Sequence, residues 1–312
     1  MGQVFADFPK FTTLTLEDRN TYNDLVSRFP VTIQYSFHPL MSWWGVIDKC
    51  MLSELNGNLV FSFWLPGMDD ASGFGLLGTS KVDETICEIF DHQKKQGGEP
   101  RLVHVPDFVI ENIKYTDMFI FDGERNFDEY IVSLNNFSEV SKLSPPRRSA
   151  LRRLLALFDE SQIEVKPIEI NAPYNKSLLI DAIKAWEAAG RLNDYAKYEK
   201  QGLLYTIKNS GRFEVECIGL YIRGRLQSFF IFEPNDDTRI NLGYLRLSYE
   251  YPHLIDLAIL KYAAWLQGQG FTTVNIDADF GIDLLRSLKL SLGTTTFRRF
   301  YTVRPTKGLR HH

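Results

Sequence analysis

The stretch FEVECIGLYIRGRLQSFFIFEPNDDTRINLGYLRL, residues 213–247, decides the fold class. It holds three apolar-rich runs of strand length. Arg223-Gly224-Arg225 separates the first two, and Pro234-Asn235-Asp236-Asp237 separates the second and third. Both separators are hairpin-type connections, so the stretch predicts an antiparallel meander of about three strands. Working outward, IEVKPIEI predicts a strand and NKSLLIDAIKAWEAA a helix ahead of the meander. After it come a helix in HLIDLAILKYAAWLQGQ, a strand in TTVNID, a short helix in IDLLRSLKL and a closing strand in RRFYTVRP. That order specifies an α/β (α+β) unit with a mixed, mostly antiparallel sheet.

The first half repeats the theme without close sequence repetition. FTTLTL reads as a strand, Glu17 to about Phe29 as a helix, and NGNLVFSFWL as a strand after an Asn56-Gly57 turn. KVDETICEIFDHQKKQ reads as an amphipathic helix that Gly97-Gly98-Glu99-Pro100 ends, followed by RLVHV as a strand and PDFVIENI as a short helix. The sequence thus predicts two units, 1–145 and 146–312, the second opening with a basic bridging helix over 146–160 that Pro145-Pro146 starts.

The chain has 312 residues, 44% of them hydrophobic, which excludes disordered and collagenous classes and gives enough material for two cores. Its 35 Lys plus Arg against 39 Asp plus Glu exclude a binder that is basic over its whole surface, so local patches matter. Three scattered cysteines, Cys50, Cys87 and Cys217, form neither a disulfide framework nor a metal pattern and fit a reducing, cytoplasmic setting. No secretory leader is evident, nor any run of the roughly 18 apolar residues that span a bilayer. The expectation is a cytoplasmic chain with no bound metal.

Gly73-Phe74-Gly75-Leu76-Leu77-Gly78 has the letters of a dinucleotide fingerprint but not the context of a first strand and a long helix, so it reads as a turn before a helix. Arg147, Arg148, Arg152 and Arg153 form the polar side of a helix whose other side carries Leu151, Leu154 and Leu155. They are a solvated face or a site for phosphates of a cofactor, a lipid headgroup or a tRNA end. Asp277 and Asp279 stand where a strand meets a short helix, the usual position of α/β sites, with Arg286 and Lys289 following. This group is read as a structural ion network or as a cleft for an anionic substrate. Glu187, Arg191, Asn193, Asp194 and Tyr195, around Gly190, are further pocket candidates.

Several stretches taken together resemble the soluble catalytic region of phosphatidylglycerol lysyltransferases. They are FTTLTLEDRNTYNDLVSRFP with YSFHPLMSWW, RNFDEYIVSLNNFSEVSKLSPPRRSALRRLLALF, NIDADFGIDLLRSLKLS and RRFYTV, and in order and spacing they span nearly the whole chain. The resemblance implies two tandem GNAT-like (acyl-CoA N-acyltransferase-like) domains, related also to Fem-type transferases that take amino acids from aminoacyl-tRNA. It places the donor and acceptor cleft in the C-terminal unit and puts Arg246 where relatives carry lysine. Arginine keeps the charge but is no base at neutral pH, so anion binding survives there and deprotonation does not. Relatives also carry Lys-Arg-Asn where this chain has Arg147, Arg148 and Ser149.

The implied activity is transfer of an acyl or aminoacyl group, from aminoacyl-tRNA ahead of acyl-CoA, to an amine or hydroxyl acceptor, a soluble one ahead of a lipid headgroup. Neither donor is expected to be a tightly bound cofactor. A coenzyme A donor calls for a Gly-rich phosphate loop, and this chain has Ser248-Tyr249-Glu250-Tyr251-Pro252-His253 in its place. Arg147, Arg148, Arg152 and Arg246 are the expected phosphate and donor contacts, and Asp277, Asp279, Arg286 and Lys289 the expected cleft. The alternative is a ligand-binding protein that keeps the fold without the chemistry.

Overall fold

The computed structural model describes residues 5–30, 32–47, 49–63, 73–137, 140–189, 194–294 and 296–306. The first part of the chain supplies strands β1 (Thr12–Thr13), β2 (Met51–Leu55), β3 (Asn58–Phe63), β4 (Gly73–Leu77), β5 (Leu102–Pro106), β6 (Phe119–Gly123) and β7 (Glu129–Ser133). The second supplies β8 (Ile163–Pro167), β9 (Glu216–Ile222), β10 (Arg225–Pro234), β11 (Arg239–Leu247), β12 (Thr273–Asn275), β13 (Thr296–Arg298) and β14 (Phe300–Pro305). The principal helices are α1 (Arg19–Val26), α2 (Val82–Lys95), α3 (Pro145–Leu155), α4 (Pro173–Ala189), α5 (Asp194–Lys208), α6 (Leu254–Gly268) and α7 (Asp283–Ser291).

Two seven-stranded sheets form, ordered β1-β2-β3-β4-β5-β14-β6 and β13-β7-β12-β11-β10-β9-β8. They share one plan. A four-strand antiparallel run ends in a single parallel step, β4 beside β5 in one sheet and β11 beside β12 in the other, with α2 or α6 as the crossover. The next place in each sheet is taken by an antiparallel strand distant in sequence. β14 pairs with both β5 and β6, and β7 pairs with β12. This is the tandem GNAT fold that the sequence leads one to expect.

The compact units are accordingly discontinuous. Unit 1 is residues 1–129, 278–282 and 297–312, and unit 2 is 130–277 and 283–296. A single cut at 145/146 does not describe this division, because periodicity reports where a strand lies and not which sheet receives it.

In unit 2 the meander follows from its turns. Arg223 (φ 50°) and Gly224 (φ 71°) take the paired left-handed conformation of a tight hairpin, and Asp236 Oδ1 accepts the backbone N–H groups of Thr238 and Arg239 at the next one. One face of the sheet buries Phe229, Ile231 and Tyr244 against Ile183 of α4 and Leu203 and Ile207 of α5. On the other face Phe230 stacks on Tyr262 of α6 at 5.7 Å.

In unit 1 the parallel step is a single register pair, Phe74 with Leu102, and aromatic side chains pack beside it. A Cβ on Gly75 would lie 2.5 Å from Phe63 and 2.6 Å from the Tyr35 hydroxyl, so only glycine lets those rings close on β4. The G-x-G-x-x-G letters therefore mark a closely packed strand, where the sequence suggested a turn. His104, fully buried at φ 54°, meets the rings of Trp44, Phe63 and Phe127. Its Nδ1 lies 2.8 Å from Glu124, which also accepts from Thr302 of β14. Burial raises the Glu124 carboxyl, but the His104 charge and these hydrogen bonds outweigh it and hold the group below its usual range.

β14 is thus a core strand, with Phe300 and Val303 fully buried. Replacing Val303 by Asp is expected to destabilise the protein by about 4 kcal/mol, because an unpaired carboxylate enters that core. Urea unfolding followed by tryptophan fluorescence measures the change.

Candidate active site

The polar residues that converge in unit 2 do so where its sheet opens. β11 and β12 pair only over Arg239–Asn241 and Thr273–Asn275. Beyond Asn241 the β10 register jumps from Leu242 to Tyr244, leaving Gly243 as the bulged residue, and this interrupts the β10–β11 ladder beside the opening before it resumes as far as Leu247. Asn241 and Asn275 are the last pair before the strands part, and Glu233 faces Asn241 from β10. Directly opposed residues share a face, so Glu233, Asn241 and Asn275 form a polar row across three strands. By alternation from Ile231, the row lies on the face that α4 and α5 cover.

Glu233 has an unusual environment. Its Oε2 is shut off from solvent and has no hydrogen-bond partner among the described residues. Burial pushes its carboxyl up to about 8; the Asn241 hydrogen bond opposes this and the charge of Glu214 adds to it. Further along the same face Arg246 donates to Glu199 of α5 at 2.8 Å, and Lys200 pairs with Glu187 of α4 at 2.5 Å. Burial opposes the Arg246 charge, but Glu199 and Glu187 overcome it and hold the guanidinium more firmly protonated than usual.

The residues singled out by sequence occupy several surroundings. Arg147, on α3, is committed to partners: its Nε donates to Asp256 at 2.7 Å and its Nη1 to Ser291 at 3.0 Å, tying α3 to α6 and α7. Arg148 donates to the Ser141 carbonyl at 3.5 Å, while Arg152 and Arg153 are exposed. Asp277, Arg286 and Lys289 belong to unit 2 and Asp279 to unit 1, so the four do not form one cluster within either unit. Asp279 is fully buried, 3.3 Å from Arg125, and accepts the Gly281 N–H. Lys289 is buried too; its Nζ donates to the Ile276 carbonyl and sits 5.7 Å over the Tyr130 ring, which fixes the end of β12. Asp277 (φ 61°) continues from that end, and Arg286 is half-buried on α7. Arg191 and Asn193 lie outside the described residues, as do the side chains of Asp194 and Tyr195.

Sequence reasoning missed Glu233 and Asn241. The signal was present: in LQSFFIFEP the alternation that turns Phe229 and Ile231 inward also turns Glu233 inward. Helix α5, which brings Glu199 to Arg246, was not anticipated either.

With this geometry in view, the comparisons with known proteins are informative. The profile of the family described as "Phosphatidylglycerol lysyltransferase, C-terminal" matches residues 51–311. The chain belongs to this family. No curated protein matches the chain significantly by sequence. Among solved structures, a conserved protein of unknown function from Bacteroides thetaiotaomicron superposes with a TM-score of 0.78 at 18% identity, over 95% of this chain and 99% of that one. The L-PGS of Bacillus licheniformis gives 0.56 at 15% identity, over 99% and 95%. The C-terminal domain of a putative lysylphosphatidylglycerol synthetase from Agrobacterium fabrum gives 0.59 at 13% identity, over 94% and 92%. At these identities the structures establish the shared fold. Family and fold together support a GNAT-like acyltransferase of the lysyl-phosphatidylglycerol synthase C-terminal type.

Because the Glu233 carboxyl is raised, the folded state keeps a proton that the unfolded chain has released. Stability contributed by that proton is present below about pH 4.5 and is lost as pH rises towards 8, at up to ~1.4 kcal/mol per pH unit. Glu233→Gln is expected to flatten this decline, gaining stability relative to the parent at pH 8 and little at pH 5. Urea titrations at the two pH values test it; parallel curves would contradict the assignment.

Proposed function

We propose that this chain moves an aminoacyl group from aminoacyl-tRNA, in preference to an acyl group from acyl-CoA, onto an amine or hydroxyl acceptor at the opening in the unit 2 sheet. The observation that carries the choice of donor is the start of α6. A helix N-terminus that follows the strand at a sheet opening is a natural pyrophosphate cradle, since its N–H groups and dipole attract anions and glycines let the phosphates approach. Here the approach contains no glycine and is bounded by carboxylates. Asp256 lies buried in the first turn, and the loop before it is held by Ser248 donating to Gln227 and Gln227 donating to Glu250 at 2.9 Å. The Gln227 hydrogen bond keeps the Glu250 carboxyl below its usual range, so it is charged. Both carboxylates are paired, Asp256 with Arg147 and Glu250 with Arg225, so it is the absence of a glycine, which would let a pyrophosphate approach these N–H groups, that disfavours coenzyme A. An aminoacyl ester brings no pyrophosphate.

In this reading the acceptor nitrogen or oxygen attacks the ester carbonyl, a C–N or C–O bond forms, and the ribose oxygen leaves with a proton. Orientation and polar stabilisation of the tetrahedral oxyanion supply most of the rate. The row of Glu233, Asn241 and Asn275 lines the face where the reacting groups meet, and Asp277 and Lys289 shape the end of β12. Asp279 and Arg286 border the segment that follows. Arg148 and Arg152 hold phosphates of the donor, while Arg147 holds α3 in place through Asp256. Arg246 is a fixed charge whose contact with an anion requires Glu199 to yield. That commitment favours the second reading, a ligand-binding protein without chemistry.

The test is direct binding of charged tRNA and of acetyl-CoA to the parent and to an Arg148→Ala, Arg152→Ala double variant at two salt concentrations. The expected result is saturable tRNA binding that the double variant weakens roughly tenfold or more at low salt, with a shallower salt dependence, and weaker binding of acetyl-CoA. Unchanged affinity in the double variant would remove the arginines from the account.

A further inference from the structure

The two sheets end in four edge strands, and three of these are blunted. β1 is two residues long and β13 three, while β8 carries Glu164 and Lys166 and closes on Pro167. Shortness, charge and proline are the usual means by which a sheet avoids recruiting another strand. β6, with the sequence Phe-Ile-Phe-Asp-Gly, has none of the three protections in full. It is five residues long, contains no proline or lysine, and no described strand lies beyond it. Its one charge is already answered, since Arg304 of β14 donates to Asp122 through Nε at 3.1 Å.

The ladder to β14 fixes which backbone groups remain free. The Met118 carbonyl accepts from Thr306 and the Glu124 N–H donates to the Phe300 carbonyl, in register with Ile120 opposite Arg304 and Asp122 opposite Thr302. Even-numbered residues therefore turn their backbone groups towards β14, and Phe119, Phe121 and Gly123 turn theirs outward. Between the first two stands Ile120, 40% exposed. A second β6 laid antiparallel along this edge has few registers open to it. With Ile120 on the two-fold axis, Phe119 exchanges both hydrogen bonds with Phe121 of the second copy, Ile120 meets its own counterpart, and Asp122 comes level with Met118. With Phe121 on the axis each Ile120 faces an aspartate, and with Asp122 on the axis two like charges are opposed. With Phe119 on the axis the pairing runs into the 3-10 turn of Thr116–Met118. Only the first register keeps both phenylalanines paired, covers the exposed isoleucine with an apolar side chain and opposes no like charges. The other charges nearby do not disturb it: Glu99 acts on Arg304 within the same copy, and Asp117 comes level with Gly123 of the second.

We propose that β6 pairs antiparallel with the β6 of a second copy of this chain, with Ile120 on the two-fold axis, so that two seven-stranded sheets become continuous. An unrelated extended peptide could satisfy the same backbone groups, but the self-complementary register favours a second copy. About four backbone hydrogen bonds hold so short a ladder, two for each Phe119–Phe121 pair, so the association is reversible and depends on concentration. The proposal does not rest on the transfer reading and uses none of the residues assigned to it.

Cysteine crosslinking of the full chain reads the register. Cys50 and Cys217 are buried, so a Cys87→Ser background leaves no accessible native thiol. In that background Ile120→Cys places two thiols on a non-hydrogen-bonded pair, with about 4.5 Å between Cα atoms, which is within disulfide reach. Oxidised glutathione is expected to convert this variant to a reducible dimer and to leave Asp122→Cys monomeric. Crosslinking of both variants alike reports collision, crosslinking of Asp122→Cys alone reports another register, and crosslinking of neither reports no pairing; each overturns the proposal. Sedimentation velocity over a wide concentration range gives a second reading. The parent should associate reversibly, and Ile120→Lys should weaken the association about tenfold by opposing like charges while keeping its thermal midpoint. An equimolar mixture of Ile120→Lys and Ile120→Glu should restore it. A parent that stays monomeric, or a mixture that associates no better than either variant alone, overturns the proposal.

Discussion

The constraint on which this structure depends is the pairing of β14 with β5 and β6, together with the reciprocal pairing of β7 with β12. A GNAT sheet has one parallel step, and the strands on either side of that step diverge. Without an antiparallel neighbour, the strand beyond the step would present an open edge. In this chain the neighbour comes from far away in sequence in both sheets. The two halves therefore depend on each other for completion, and the loops that carry β12 towards α7 and β13 towards β14 are fixed by those pairings. Asp277 and Phe280, both at positive φ, lie on such a connection, where the surrounding structure holds the backbone in a conformation that a free loop would abandon.

The same plan has two different interiors. In unit 1 the parallel step is accompanied by Tyr35, Phe63 and His104, with Gly75 permitting their approach, and its polar groups answer one another through Glu124 and Thr302. In unit 2 the corresponding row is Glu233, Asn241 and Asn275, and one of its carboxylate oxygens has no partner among the described residues. A buried polar group without a partner is costly, and such costs concentrate where function requires them.

Much of this was legible in the sequence. The meander of residues 213–247, the helix after it and the turns between its strands follow from alternation and from Arg223-Gly224 and Asp236, because local pattern and tertiary structure agree there. The tandem organisation was legible through the resemblance. The exchange of β7 and β14 was not, because a strand's pattern records that it is buried and is silent on its neighbours. The Gly73–Gly78 letters misled for a related reason: glycine marks close approach in a strand as readily as a phosphate turn. At the site, the basic helix was found, but which arginine was already engaged was not. Arg147 and Arg148 are adjacent and chemically identical, and only the packing of α3 on α6 commits one of them to Asp256. Glu233 was overlooked because a single acid in an apolar strand resembles an edge residue until its partner strand is known.

The central claim is that the opening in unit 2 activates an aminoacyl ester and not a coenzyme A thioester. Its most direct test is to replace the unidentified acceptor by hydroxylamine and measure hydroxamate formation from charged tRNA and from acetyl-CoA, with and without the protein. The account predicts that the protein accelerates aminoacyl hydroxamate formation and leaves acetyl-CoA consumption at its background rate. Preferential acceleration from acetyl-CoA, or no acceleration from either donor by a folded protein that binds charged tRNA, would contradict it.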